Sequence, residues 1–340
     1  MVDDDGTLDV VLVTQLPPDS WCEGFAIRPN NHVLAARLDA PVVYEIDPED
    51  PEAQPQTVFE FPGVAAALNL APIPGRPDQY SVITSEVSDL TSTRWEGFAV
   101  WHLDLNTGGE PKATKKGEVK DIILVLGLCP VTEKFILVAD SAQSCIQVLD
   151  VTTGKSSVLL SDKQSMDPEG EDAFFGVNRM CIVGKYIWYS NYSAGTIHRV
   201  PFELDNSNAH APVRITGSVE RIVDDLGHCD GFQVKPDGSA AYTLNWNTGS
   251  LVRSDLTKAL SGSAASEPVL SMLVNPTCVE LGPEINGKQK LFVVCCGEID
   301  VGWINDTPTW KDIANGIDAT VEIEVHSDRG SVISRTSQPV

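Results

Sequence analysis

The sequence predicts an all-β, six-bladed propeller with four-stranded blades, its ring closed by an N-terminal strand. Amphipathic helical periodicity is nearly absent, and short β-branched and aromatic runs recur between Gly, Pro, Asn and Asp clusters. The runs repeat as strand, Pro-Asp-Gly-type turn, strand, Gly-containing turn, and a strand ending at Asp47, Asp104, Asp150 or Asp255. Those intervals suit the ~40–50 residues of a blade. Finally, Trp21-Cys22-Glu23-Gly24, Gly176-Val177-Asn178-Arg179 and His228-Cys229-Asp230-Gly231 each lead into an apolar strand at the start of a unit.

Taken in order, the run 8–13 is strand-like and is expected to supply the outermost strand of the last blade, removing two exposed edges. Blade one reads from Glu23 to Asp47, and a looser second from Leu68 to Asp104. The third spans Gly127 to Asp150, and the fourth Val177 to Val200. The fifth is the cleanest, with Asp230-Gly231-Phe232 leading to the turn Pro236-Asp237-Gly238 and strands at Ala241–Asn245 and Gly249–Val252. A sixth is read from Asn275, Leu291–Cys295 and Thr320–Val325. One domain therefore covers 1–340, with blades over roughly 14–326 and a polar, mobile tail at 327–340.

Hydrophobic residues make up 42% of the 340, enough for a sizeable core. No apolar run approaches the ~18 residues of a membrane helix, and a formal charge of −24 argues against nucleic acid or anionic lipid as partner. Acidic clusters such as 47–52 and 167–172 read as solvated loops. The eight cysteines show no zinc spacing and read mainly as small buried hydrophobes. Cys129 and Cys145, expected on neighbouring strands of one sheet, are the pair whose geometry suits a disulfide. No signal peptide is visible at Met1-Val2-Asp3-Asp4-Asp5, while sequons at Asn191 and Asn305 leave secretion open, so the compartment stays undecided. The nucleophile-elbow, P-loop, dinucleotide and His-Glu-x-x-His motifs do not occur.

The repeat would gather Glu23, Asn178 and Asp230 around one axis. Hard oxygen ligands in that arrangement suit a calcium-like cation, and equally the polar floor of a pocket. Near them, Trp21, Phe175, Tyr192 and Trp246 are candidates for stacking on a substrate, and Arg179 and His228 for hydrogen-bond donation. Asn69, Asn245, Cys278 and Trp303 complete the expected substrate-binding set. The insertions 89–96 and 298–310, with Trp95, Trp303 and Trp310, suit a lid or a protein-binding loop.

Six blades with Glu-Gly in the first, Asn in the fourth and Asp-Gly in the fifth resemble the senescence-marker-protein/gluconolactonase propellers. That resemblance implies a divalent cation, Ca or Zn, on Glu23, Asn178 and Asp230, with Asp230 as general base in lactone hydrolysis. The chain departs from the family at the start of blade three, where the apolar run 122–129 offers no oxygen ligand after Asp121. Trp21-Cys22-Glu23 followed by Ala26-Ile27-Arg28-Pro29-Asn30-Asn31, with Tyr44-Glu45-Ile46-Asp47 closing the blade, also resembles a fungal secondary-metabolism branch. That branch includes hetero-Diels–Alderases that join a tropolone quinone methide to a macrocyclic sesquiterpene such as humulene. It implies catalysis without a required cofactor, acting on two small hydrophobic substrates. From the residues themselves, Arg179, His228 and Asp230 are the expected catalytic groups. The metal-dependent lactonase is the alternative, and a non-catalytic binding scaffold a third class.

Overall fold

The computed structural model describes the backbone of residues 9–326 apart from 18–19, 51, 53, 89–94, 171–172, 174, 206–207, 209–211, 263–264, 286–287, 297–298, 305–306 and 314–318. Side chains are described from residue 10 to 296, with 284–289 also excepted. The tail 327–340, the side chain of Trp303, residues 89–94 of the first insertion, the side chains of the second, and the sequon at Asn305 lie outside them.

The chain folds as an all-β propeller with four-stranded antiparallel blades. In blade one the strands Cys22–Ile27, Val33–Arg37, Val42–Ile46 and Gln56–Glu60 pair in sequence order. Four more sheets, over 66–119, 125–160, 177–223 and 229–270, repeat this pattern. In the fourth blade the outer position is shared by two short strands, Val213–Ile215 and Glu220–Val223. Five blades are thus built from consecutive strands, one fewer than the sequence led us to expect. The remaining four-stranded sheet draws on both ends of the chain: Pro276–Ile285, Lys288–Cys295 and Ala319–His326 pair in that order. Asp9–Gln15 then pairs antiparallel to the last of these, Asp9 opposite Glu324 and Gln15 opposite Ala319. A separate hairpin, Ile299–Ile304 with Thr307–Ile313, fills the connection within this sheet.

Local chemistry explains the repeat. Asp47, Asp104, Asp150 and Asp255 each accept from the backbone N–H two residues on, at 2.9–3.0 Å. This Asx-turn starts the reversal into the outer strand, which is why the motif closes third strands. Between sheets, interleaved apolar faces form separate wedges of core, such as Val82, Trp101 and Phe61 between blades one and two and Leu137, Met180 and Tyr189 between three and four.

The innermost strands pack edge on edge: Cys22–Ile27 on Ala66–Pro72, that on Val125–Pro130, then Val177–Val183, then Cys229–Val234. Pro276–Ile285 packs on both Cys229–Val234 and Cys22–Ile27. Close approach is what the motif glycines permit. A Cβ on Gly24 would lie 2.6 Å from Asn69 Cα, and one on Gly127 would lie 2.4 Å from the Asn178 carbonyl oxygen.

The expected Cys129–Cys145 disulfide is absent; both thiols are free. Cys129 sits opposite Leu137 on the inner strand, while Cys145 sits opposite Asp140 on the third. A whole strand and three residues of rise separate them, beyond the Cα reach of a disulfide. Among the described residues no helix is long and apolar enough to cross a membrane.

Candidate functional site

Every innermost strand starts with a bulge. The ladder skips one residue at Glu23, Leu68, Leu126 and Thr277. It skips two at Asn178-Arg179 and at Asp230-Gly231. A bulge frees a side chain from the alternation of the strand and re-aims it. Polar residues from blades one, four and five are thereby released toward the hub. Leu68 and Leu126 join an apolar cluster that also carries Phe175 and Leu38. The wall on that side is therefore greasy, in line with the apolar start of blade three.

Arg179 crosses the hub. Its Nη1 donates to the carbonyls of Glu23 at 2.7 Å and Leu126 at 2.5 Å. Its Nη2 donates to the Glu23 carboxylate and, at 3.4 Å, to the Thr277 carbonyl. Asp230 Oδ1 lies 3.9 Å from Nη2 and accepts from Asn178 Nδ2 at 3.0 Å. Trp21 Nε1 donates to Glu23 Oε1 at 2.6 Å. Cys278 Sγ contacts the Glu23 carbonyl at 3.2 Å. The hub thus holds two carboxylates and one guanidinium, all buried.

The shares of that cation are unequal. Glu23 has the guanidinium and an indole N–H; burial pushes its carboxyl up, and Arg179 and the Trp21 bond pull it back. Asp230 has one amide and a more distant guanidinium. Burial, then the Glu23 charge, hold its carboxyl well above the ordinary carboxylate value. Of the two carboxyls, Asp230 is the one that burial and the Glu23 charge dispose to hold a proton, and so to donate a hydrogen bond. Burial likewise raises the Cys278 thiol, so it is no thiolate nucleophile at neutral pH.

Aromatic groups stand beside this floor. Trp21 and Trp246 stack at 5.8 Å between centroids. Tyr192 stacks on His228 at 5.0 Å and meets Phe175 edge-on at 5.6 Å. His228 Nδ1 bonds Asn247 Nδ2 at 2.5 Å, and the His228 carbonyl accepts from Trp246 N–H at 2.9 Å. On the other side of Arg179 lies a narrow cavity of about 50 Å³, lined by Phe25, Leu128, Met180, Gln233 and Glu280 among others. There Glu280 accepts from Gln233 Nε2 at 2.8 Å, and burial raises its carboxyl to about 7.

Structure and sequence expectation differ in detail. Glu23, Asn178, Arg179, Asp230 and Cys278 meet at the hub, and Trp21, Trp246, Phe175, Tyr192 and His228 flank it. Asn69 and Asn245 are used by the backbone. Asn69 donates to the Leu126 carbonyl at 2.9 Å and accepts from Leu70 N–H. Asn245 donates to the Leu226 carbonyl at 2.8 Å and accepts from Thr248 N–H, closing a turn. Arg179, expected to face a substrate, instead runs between the carboxylates. Glu280 and Gln233 were not foreseen; their offset along the inner strands, two or three residues past the bulges, was the available signal.

Glu23, Asn178 and Asp230 are the side chains that could hold a cation. Among the described residues no three His, Cys, Asp or Glu side chains converge as a metal set. The guanidinium between the two carboxylates supplies the positive charge there, so the residues as arranged do not fit a divalent ion.

No protein-family model and no curated protein matches this chain. Solved structures do. A luciferin-regenerating enzyme aligns with TM-score 0.61 at 10% identity, covering 93% of this chain and 95% of its own. The calcium-binding protein regucalcin from Agrobacterium tumefaciens aligns with TM-score 0.56 at 15%, covering 93% and 94%. A streptogramin B lyase aligns with TM-score 0.52 at 11%, covering 95% and 99%. At such identities the shared property is the β-propeller fold.

Proposed function

We propose that this chain is an enzyme of the senescence-marker-protein/gluconolactonase-like propellers and that the sheet drawn from both termini is its sixth blade, with Asp9–Gln15 closing the ring. Packing of Pro276–Ile285 on the inner strands to either side supports that reading. The reaction we assign is an intermolecular hetero-Diels–Alder cycloaddition of a tropolone-type quinone methide to a sesquiterpene alkene, as in the fungal branch the sequence resembles. The carrying observation is the charge-compensated hub: Arg179 between Glu23 and Asp230, beside two aromatic groups and an aliphatic wall.

Such a reaction converts two π bonds into two σ bonds. The heterodiene oxygen and its methide carbon bond to the two alkene carbons, and no proton or electron is gained or lost. A site therefore needs to orient both partners, and orientation contributes as much as ~7–11 kcal/mol of a bimolecular barrier. A protonated Asp230 donates to the quinone methide oxygen and draws density from the heterodiene, while a preorganised donor requires no rearrangement at the transition state. Trp21, Trp246, Phe175 and Tyr192 offer faces for the flat, electron-poor ring, and Leu38, Leu68 and Leu126 an apolar side for the terpene.

The test is product formation from a quinone methide released in situ and a medium-ring sesquiterpene alkene. Expected are a rate above background, one product enantiomer, and no change after EDTA. Asp230→Asn retains a donor and keeps most of the activity; Asp230→Ala loses it. A racemic adduct at background rate would sink the assignment. The lactonase reading is favoured by one observation, three oxygen-bearing side chains converging at one hub. It requires calcium- or zinc-dependent turnover of simple lactones and a basic Asp230, so Asp230→Asn would then be inactive.

A further inference from the structure

We propose that the Arg179 guanidinium is a built-in replacement for a divalent cation, and that deleting it uncovers a cation site on Glu23, Asn178 and Asp230. This goes beyond the catalytic reading and does not depend on it. The residues around the guanidinium form an oxygen cage: two carboxylates, and the backbone carbonyls of Glu23, Leu126 and Thr277. The guanidinium bonds the three carbonyls and Glu23 Oε2 and lies 3.9 Å from Asp230 Oδ1. A second observation points to a ligand. Asn178 is 2% exposed, its amide nitrogen reaches Asp230, and its Oδ1 has no hydrogen-bond partner among the described residues. An amide oxygen buried with nothing to accept is costly unless a donor or cation faces it.

The chemistry of the cage selects the ion. All-oxygen ligands favour hard cations of the calcium, magnesium and manganese type over zinc or copper. Asn178 and Arg179 both fall at the blade-four bulge, between the paired positions Val177 and Met180, so the guanidinium is delivered beside Asn178. A divalent ion and the guanidinium would be mutually repelled within the same cage, making occupancy by one or the other an alternative.

Manganese uptake, read by loss of the free-ion electron paramagnetic resonance signal, tests this on the full chain. EDTA-stripped wild-type protein should take up only weak, non-stoichiometric manganese at its acidic surface. Arg179→Ala should bind one ion per chain, about tenfold tighter or more, displaceable by calcium, and Glu23→Gln in that background should abolish it. Wild-type protein that binds one equivalent, lost on Glu23→Gln, would overturn the proposal. So would a folded Arg179→Ala protein with no new site. Should Arg179→Ala not fold in stripped buffer, it must refold with millimolar calcium or ethylguanidinium; failure with both is equally fatal. Metal occupancy is the readout, so a negative result here leaves the product assay to decide the cycloaddition separately.

Discussion

Replacing Glu280 by Gln should stabilise the protein at alkaline pH and leave it unchanged in acid. Glu280 lines the small cavity beyond Arg179, and among the described residues its carboxylate accepts from Gln233 Nε2 alone. Burial raises its carboxyl from an ordinary 4.5 to about 7, against the lowering effects of Gln233 and Arg179. A raised value means that the folded state holds this proton more tightly than the unfolded chain does. The stabilisation is therefore complete below 4.5 and is lost as pH rises to about 7. At about 1.4 kcal/mol per pH unit, the loss amounts to at most ~3 kcal/mol, and less because the residue is not fully sealed from solvent. Gln keeps the shape and can still accept from Gln233, but does not ionise. Urea unfolding of both proteins at pH 4.5 and pH 8 measures the effect, because shared contributions from Glu23 and Asp230 cancel in the difference. The variant should gain as much as ~3 kcal/mol on the wild type at pH 8 and nothing at pH 4.5. An equal difference at both values would show that Glu280 is not an unpaired buried acid and would refute the reasoning.

Other substitutions probe the hub and its surroundings. Gly127→Ala puts a Cβ 2.4 Å from the Asn178 carbonyl oxygen and 3.1 Å from Arg179 Cα, so blades three and four must part; calorimetry should show a loss of about 1–3 kcal/mol. A wild-type melting curve for that variant would mean that the strands do not approach so closely. Trp21→Phe deletes the indole donor to Glu23 Oε1 while keeping an aromatic face, and should cost about 1–3 kcal/mol in urea unfolding. Trp246→Ala removes half of the stacked pair at a half-buried position. It should reduce stereoselective adduct formation about tenfold or more with little change in unfolding midpoint; unchanged yield would remove Trp246 from the site.

The blade repeat was legible because its signals are local. Alternating strands, the Asx aspartates at 47, 104, 150 and 255, and glycines after Glu23 and Asp230 each have a short-range physical cause. So was the meeting of Glu23, Asn178 and Asp230, since equivalent positions in repeated units must share a level around one axis. What the sequence hid depends on contacts between distant segments. Nothing local tells that Asn178 and Arg179 leave the ladder together, so Arg179 read as a hydrogen-bond donor to a substrate. The backbone bonds of Asn69 and Asn245 were not foreseen because an unsatisfied carbonyl in a neighbouring segment, Leu126 or Leu226, leaves no trace in composition. The Cys129–Cys145 pairing failed through register: adjacency of runs along the chain placed them on neighbouring strands, whereas an intervening strand separates them. The hairpin 299–313 and the divided outer edge of blade four are insertions, which a repeat pattern passes over.

The irregularity at the head of each inner strand has an evolutionary corollary. Because the main chain already departs from regular pairing at Glu23, Leu68, Leu126, Asn178, Asp230 and Thr277, exchanging the amino acid at any one of them rewrites the chemistry of the cup without rebuilding the scaffold. Leu68 and Leu126 are the vacant letters in this alphabet: a single codon change to an acid or amide there would add a fourth oxygen, and descendants of one architecture can diverge in reactivity by point mutation alone.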